Sequence, residues 1–162
     1  MSLKTFWENY KRCKRQKKSG LSFPVRDKIH GVKLGDYQGA LAQSRKGDDL
    51  QLVHVPLPEY PHNTYVYNIS LNRILGYLSK ELAEKLVYIF GEGFCLDGEV
   101  HEIIGGPPLK YHGAYILVHE DNVLMENCNL MLLLPRACNA GADQPWQERV
   151  DGNYGRGKSV PC

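Results

Sequence analysis

The run Ile74-Leu75-Gly76-Tyr77-Leu78-Ser79-Lys80-Glu81-Leu82-Ala83-Glu84-Lys85-Leu86 changes its hydrophobic period part-way along, and no other stretch of the chain constrains the fold as much. Its first residues are apolar and strand-like. Gly76 then interrupts them beside Tyr77, and from Ser79 onward the apolar residues recur at helical spacing. Ser79 suits an N-cap because its hydroxyl can accept a free amide of the first turn, and Glu81 complements the positive end of the helix dipole. Leu82, Leu86, Ile89 and Phe90 share one face of the expected helix, and Gly91 and Gly93 stop it.

Strands are expected on both sides of this block. Thr64-Tyr65-Val66-Tyr67-Asn68-Ile69 alternates aromatic and β-branched residues, and it pairs with Arg73–Leu78 as a hairpin through Ser70-Leu71-Asn72. Upstream, Asp36-Tyr37-Gln38-Gly39-Ala40-Leu41-Ala42 reads as the first long strand, residues 44–49 as a polar turn, and Leu50–Val55 as a half-buried strand. Pro56, Pro58 and Pro61 keep residues 56–63 out of any central strand, because proline lacks the ladder N–H. Two more strands fall near 94–104 and 113–119, broken by Gly105-Gly106-Pro107-Pro108. Residues 29–120 therefore read as a mainly β, α+β unit: a small, strongly bent sheet carrying one firm helix. Residues 123–134 are apolar enough to add a strand or helix and complete a domain spanning 29–135. Residues 136–162 form a Gly-rich polar extension in which Trp146 is the bulky apolar anchor, with a poorly ordered tail expected from 151.

At 162 residues the chain is long enough to bury a core without disulfide or metal staples. The longest apolar run, Leu130-Met131-Leu132-Leu133-Leu134, is far short of the roughly 18 residues of a membrane span. No apolar segment follows the basic N-terminus as a secretory signal would require. Cys13, Cys95, Cys128, Cys138 and Cys162 are odd in number, scattered and free of any Cys-x-x-Cys pair, as expected of reduced thiols. An intracellular protein, cytoplasmic or nuclear, with no membrane partner is the expectation. In that setting the sequon Asn68-Ile69-Ser70 carries no meaning.

The net charge of +2 hides a bipolar chain. Residues 1–28 hold nine Lys or Arg against Glu8 and Asp27, a net of +7, and the other 134 residues carry 11 basic and 16 acidic side chains, a net of −5. Within that basic arm Leu3, Phe6, Trp7 and Tyr10 recur at helical spacing. Lys11, Arg12, Lys14, Arg15, Lys17 and Lys18 follow as a dense cationic cluster closed by Ser19-Gly20. Such a helix suits a phosphate backbone, an anionic membrane surface or another protein; equally, its apolar face could dock on the domain and leave the lysines solvated.

Catalysis finds little support. His101, Glu102, His112, His119 and Glu120 lie on or near neighbouring expected strands, but their spacing fits no metal template. Gly105-Gly106-Pro107-Pro108 is no phosphate loop, because a Pro-Pro pair lacks the needed N–H groups. A non-enzyme with no cofactor and no metal is expected.

The order of strand, Pro-rich loop with Tyr60 and Asn63, strand, Leu75-Gly76-Tyr77-Leu78-Ser79-Lys80-Glu81-Leu82-Ala83 and helix resembles the HIRAN domain, over residues 31–118 and most strongly over 59–90. The resemblance implies a six-stranded OB-like or SH3-like barrel with one or two short helices that binds single-stranded DNA, in a DNA-repair setting, at a free 3′ end in the best-understood relative. It implies that the ring of Tyr60 stacks on a terminal base, that the Asn63 amide holds the loop or donates to a phosphate, and that the Tyr77 hydroxyl reaches sugar or phosphate. Tyr37 and Gly39 match a Tyr-x-Gly near the first strand, and Lys80 stands where a phosphate would meet the helix start. Pro61 replaces the acidic residue that follows the motif tyrosine, and Gly35-Asp36 stands where a basic residue is expected. Groups that would grip a 3′-hydroxyl are thereby missing. General binding of single strands, helped by the arm, is the expectation; the competing expectation is an interaction subunit of a larger assembly that binds protein or RNA.

Overall fold

A computed structural model describes residues 2–122 and Cys128. The expectations for residues 123–134, apart from Cys128, and for the extension 136–162 lie outside the described residues. The element order is α1 (Leu3–Ser19), β1 (Val25–Lys28), α2 (Tyr37–Gln43), β2 (Asp49–His54), β3 (Thr64–Asn68), β4 (Arg73–Tyr77), α3 (Lys80–Phe90), β5 (Cys95–Gly105) and β6 (His112–Asn122).

The six strands form one antiparallel sheet in the order β1-β6-β5-β2-β3-β4. The period-two alternation of each strand divides its side chains between two clusters. Leu50, Leu52, Val66, Leu75, Leu96, Val100, Ala114, Ile116 and Val118 point into the main core with Leu82, Ala83 and Leu86 of α3. Val53, Tyr65, Tyr67, Ile74 and Cys95 point the other way, into a smaller cluster with Tyr37 and Cys128. Both faces of β2 and β3 are thus covered, which is why Leu50–His54 and all of β3 are buried. The 64–78 hairpin, the strands near 94–104 and 113–119 and the helix after Ser79 form as the residue pattern indicates.

Two local expectations fail. Residues 36–42 do not make a strand, because Tyr37–Gln43 is a short helix. Tyr37, Ala40 and Leu41 sit at i, i+3 and i+4, and all three are buried. Gln38 replaces the missing strand partner: its Nε2 donates to the carbonyls of Val32 (2.5 Å) and His112 (2.9 Å), and its Oε1 accepts the His112 N–H at 2.7 Å. The outer strand is instead Val25–Lys28, in the segment read as basic arm. It pairs with β6 from Val25↔Val118 to Lys28↔Tyr115. Alternation in VRDK is too short to register as a period.

After β1 the chain leaves β6 and meets the opposite edge of the sheet. Ile29 still donates to Ala114 (3.0 Å), but His30 exchanges two backbone hydrogen bonds with Tyr77 of β4, at 2.8 and 3.1 Å. One bridge therefore joins the two edge strands; no continuous ladder closes the sheet. This contact explains the Gly-Tyr step. Gly76 has φ +151°, and a Cβ there would fall on the His30 carbonyl oxygen and the Ile29 side chain. Across the bridge, Gly31 at φ +70° leaves room for the Tyr77 ring, which a Cβ would strike.

Asn68 fastens the turns at one end of the sheet. Its Nδ2 donates to Ser44 Oγ (3.2 Å) and Asp48 Oδ2 (3.0 Å), and its Oδ1 accepts the Leu71 N–H (3.1 Å). With 0% exposure, the asparagine of the sequon is closed to a glycosylating enzyme in the folded domain.

Candidate nucleic-acid interface

The basic arm is an ordered helix. Ser2 caps α1 through its hydroxyl, which accepts the Thr5 N–H at 3.2 Å, and Gly20 ends it in the left-handed conformation with Lys17 and Lys18 in the last turn. It lies antiparallel along α3. Ser19 borders a recess with Glu81 and Glu84 near the start of α3, and the Arg12 guanidinium stands 5.7 Å from the centre of the Phe90 ring at its end. The half-buried residues in this part of α1 are Arg12, Arg15, Gln16 and Ser19, which share one face at 3.6 residues per turn.

Docking therefore uses the polar side of α1, and Leu3, Phe6, Trp7 and Tyr10 stay exposed. The reason lies in α3. Leu82 and Leu86 are already spent on the main core and Ile89 is fully buried, so α3 offers α1 mainly Glu81, Glu84, Lys85 and Tyr88. Long arginine stems cover such a surface better than rings do.

The docked pair forms a shallow cationic recess of about 290 Å³ lined by Lys11, Lys14, Arg15, Lys18 and Tyr88. Tyr88 is 45% exposed and forms its aromatic wall. Among the described residues none of Lys11, Arg12, Lys14, Arg15, Lys17 and Lys18 is ion-paired with a carboxylate. The Nε atoms of Arg12 and Arg15 are shut off from solvent with no hydrogen-bond partner among the described residues. Four cations thus line one recess with Tyr88, and none of them is in an ion pair among the described residues. Sequence reading missed Tyr88; its signal was a large aromatic on the face of α3 opposite Leu82, Leu86 and Ile89.

The candidates on the sheet are scattered by comparison. Tyr37 is only 6% exposed and belongs to the smaller core cluster. Lys80 is exposed, with Glu84 at 3.9 Å, and the start of α3 beside it is already served: Ser79 Oγ accepts the Leu82 N–H (3.4 Å), and Asp27 accepts the Ser79 N–H (3.0 Å). Asn63 holds the Pro-rich loop, with Nδ2 donating to the Val55 carbonyl (3.1 Å) and its own carbonyl accepting the Val55 N–H (2.9 Å). Tyr60 stands 37% exposed on that loop, where it exchanges two backbone hydrogen bonds with Leu57. Tyr77 is half-buried against Gly31. The loop leads straight into Thr64, whose carbonyl accepts the Leu78 N–H at 3.0 Å, so Tyr60, Asn63 and Tyr77 belong to the same end of the β3–β4 hairpin.

A line of ring contacts connects this end to the arm. Phe90, under Arg12, lies 6.1 Å from Phe94, which stacks on His54 at 5.5 Å. His54 is fully buried. Its Nδ1 accepts the Gly93 N–H at 2.8 Å, which leaves Nε2 to donate to the Pro61 carbonyl at 2.7 Å. Both nitrogens are satisfied only in the neutral ring, and the imidazole fixes the Tyr60 loop in place.

Several other reactive groups are internally committed, although Cys13 on α1 is a free, exposed thiol. Cys95 hydrogen-bonds Cys128, and that bond together with burial pushes the Cys95 thiol well above its ordinary range, so it is inert as a nucleophile at neutral pH. Burial, then the neighbouring Cys128, raises the Tyr67 phenol. Glu102 pairs with Arg26 at 3.4 Å, and His119 stands 3.9 Å from Glu99. Among the described residues no group of three His, Cys, Asp or Glu side chains is placed to hold a metal, and no helix is long and apolar enough to cross a membrane. No protein-family model, curated protein or solved structure matches the chain.

Proposed function

We propose that this protein is a non-catalytic nucleic-acid-binding module of HIRAN type, acting inside the cell, with single-stranded DNA as its ligand. The observation that carries the reading is the convergence of Lys11, Lys14, Arg15 and Lys18 on Tyr88 without paired carboxylates. A single strand offers what that recess lacks: phosphates for the cations and a base face for the ring. The exposed Tyr60 and the Tyr77 end of the hairpin extend the track, joined to it by the Phe90–Phe94–His54 contacts. In this reading the bent sheet, with its edges joined at His30 and Tyr77, is the OB-like or SH3-like barrel of the family. Asn63 positions the loop and does not touch the ligand. Because Pro61 and Asp36 supply no grip on a 3′-hydroxyl, a 3′-phosphorylated strand binds as well as a free one.

The test is fluorescence anisotropy of the full chain with single-stranded DNA, the 3′-phosphorylated strand, duplex DNA and single-stranded RNA across a salt series. Four phosphate contacts give a slope of about −3 in log K against log salt. Tyr88→Ala weakens binding by about 1–3 kcal/mol, the worth of one base on one ring. Lys14→Gln with Lys18→Gln makes the slope shallower. Absence of binding to every oligonucleotide at low salt refutes the reading. Tighter binding to RNA than to DNA refutes its choice of ligand, and unchanged affinity in Tyr88→Ala refutes its choice of site.

A further inference from the structure

The recess leaves the other side of α1 unexplained. Leu3 is 80% exposed, and Phe6, Trp7 and Tyr10 are 54–56% exposed. These positions are i, i+3, i+4 and i+7, one stripe of the helix directly opposite the face that meets α3. The stripe continues toward the C-terminal end of the helix as Lys14 and Lys17, with Lys18 and Lys11 at its border, where they and Lys14 also line the recess with Tyr88. The one acid of α1, Glu8, falls on the docked half, so the outward half carries cations and no carboxylate. At 1.5 Å per residue the 17 residues of α1 extend about 9 Å further than the 11 of α3. Because the two helices run antiparallel with their 12–19 and 81–90 segments in register, the aromatic turns project past the end of α3.

We infer that this face lies on an anionic lipid surface, with the aromatic turns entering the headgroup boundary and the lysine turns facing the charged headgroups. The proposal goes beyond nucleic-acid binding and rests on Leu3, Phe6, Trp7, Tyr10 and Lys17, none of which lines that recess. Two features favour a bilayer. First, Phe6 meets Trp7 edge to face (6.3 Å, 75°) and Trp7 meets Tyr10 likewise (5.9 Å, 90°), so the rings make one continuous apolar patch with Leu3 and not a series of open stacking faces. Trp, Tyr and Phe next to Lys is the composition that suits the interface, where one end of a side chain is apolar and the other wet. Second, a planar anionic surface meets apolar patch and lysines at once, whereas a second copy of this chain would set lysine against lysine. Among the described residues no helix is long and apolar enough to cross a bilayer, which has no bearing on a helix lying flat.

The test is co-sedimentation of the full chain with phosphatidylcholine vesicles, with and without phosphatidylserine at about one lipid in three. Emission of Trp7 is read in a Trp146→Phe background, which leaves one tryptophan. The expected results are binding that requires phosphatidylserine, a blue shift of Trp7 on the vesicles, and a loss of about tenfold or more for Phe6→Ala with Trp7→Ala. Lys17→Gln loses roughly fivefold, the effect of one lysine removed from an anionic surface. All three side chains are exposed, so thermal unfolding of these variants matches the parent. Tyr88→Ala, which weakens oligonucleotide binding, leaves vesicle binding unchanged; the two readings therefore fail separately. No binding at low salt, equal binding to both vesicles, or vesicle binding that survives loss of the rings overturns the proposal. So does loss of oligonucleotide binding in Phe6→Ala/Trp7→Ala with vesicle binding intact, which would make the stripe a nucleic-acid face.

Discussion

Replacing Gly76 by alanine tests the contact that gives this sheet its shape. Two separate penalties meet at that position. Its φ of +151° is a conformation that an L side chain rarely adopts, which costs about 1–3 kcal/mol. A Cβ would also strike the His30 carbonyl oxygen and Ile29 Cγ2, both on the segment that bridges to β4. Backbone cannot swing aside as a flexible side chain can, and overpacking of this kind costs about 1–3 kcal/mol more. The expected total is about 2–6 kcal/mol, a large share of the roughly 5–15 kcal/mol that stabilises a domain. Two other glycines separate the contributions. Gly98 has no positive φ, but a Cβ there meets Leu52 Cδ2 at 2.6 Å and the Leu117 carbonyl oxygen at 2.7 Å, so Gly98→Ala carries the clash alone, about 1–3 kcal/mol. Gly39 lies inside α2, where a Cβ finds nothing nearer than Arg73 Nη1 at 3.9 Å. Gly39→Ala is expected to stabilise by about 0.5–1 kcal/mol through helix propensity. Urea unfolding followed by far-ultraviolet circular dichroism gives all three values. A Gly76→Ala protein no less stable than Gly98→Ala would refute the combined strain and clash at the His30 bridge. A destabilised Gly39→Ala protein would refute the helix at 37–43.

Asn68→Ala is expected to lower stability by about 2–4 kcal/mol in the same assay, since it leaves the Leu71 amide and the Ser44 hydroxyl without their buried partner. Asp97→Asn is expected to stabilise the protein at neutral pH. Burial, then the Asp121 carboxylate, raise the Asp97 carboxyl; His119 opposes them and Asp49 adds a lesser push upward, so the folded state binds this proton more tightly than the unfolded chain. The stability this group contributes is therefore present at low pH and lost as pH rises through its raised folded pKa. The advantage of Asp97→Asn should shrink toward zero as pH falls below about 4, the unfolded carboxylate value, in melts recorded across pH. An advantage that grows on acidification would refute the direction of the shift.

Elements with a long or capped pattern were legible before any coordinates. The helix after Ser79 and the 64–78 hairpin declare themselves through a cap, a face and an alternation that operate within a dozen residues. The error at 36–42 and the omission at 25–28 share a cause. Seven residues with a central glycine carry almost no propensity, and four residues carry almost no period, so neighbours decide their state. Gln38 reaching His112, and Val25–Lys28 lying along β6, are contacts across about 75–90 positions of sequence. Six strands were expected and six are present, but one of the six is a different segment.

The candidate site divides in the same way. The cationic cluster on the arm was plain from composition, and so was the stripe of Leu3, Phe6, Trp7 and Tyr10. Which face of that helix would dock depended on α3, whose apolar side the sheet had already taken. Tyr37 could be read only as the aromatic of a Tyr-x-Gly step with Gly39, and its burial came from the side of the sheet on which α2 packs.

By itself the sequence determined a mainly β chain, the Gly76–Tyr77 step into a capped helix, and a +7 arm ahead of an acidic body, because each is a local property of spacing or charge. Tertiary structure alone decided why Gly76 has to be glycine: His30 arrives there from 46 residues away and leaves no room for a Cβ. It alone brought Tyr88 among Lys11, Lys14, Arg15 and Lys18, and it alone turned the rings of α1 outward. Surfaces are made where separate elements meet, and local sequence carries no record of which neighbour has already claimed a face.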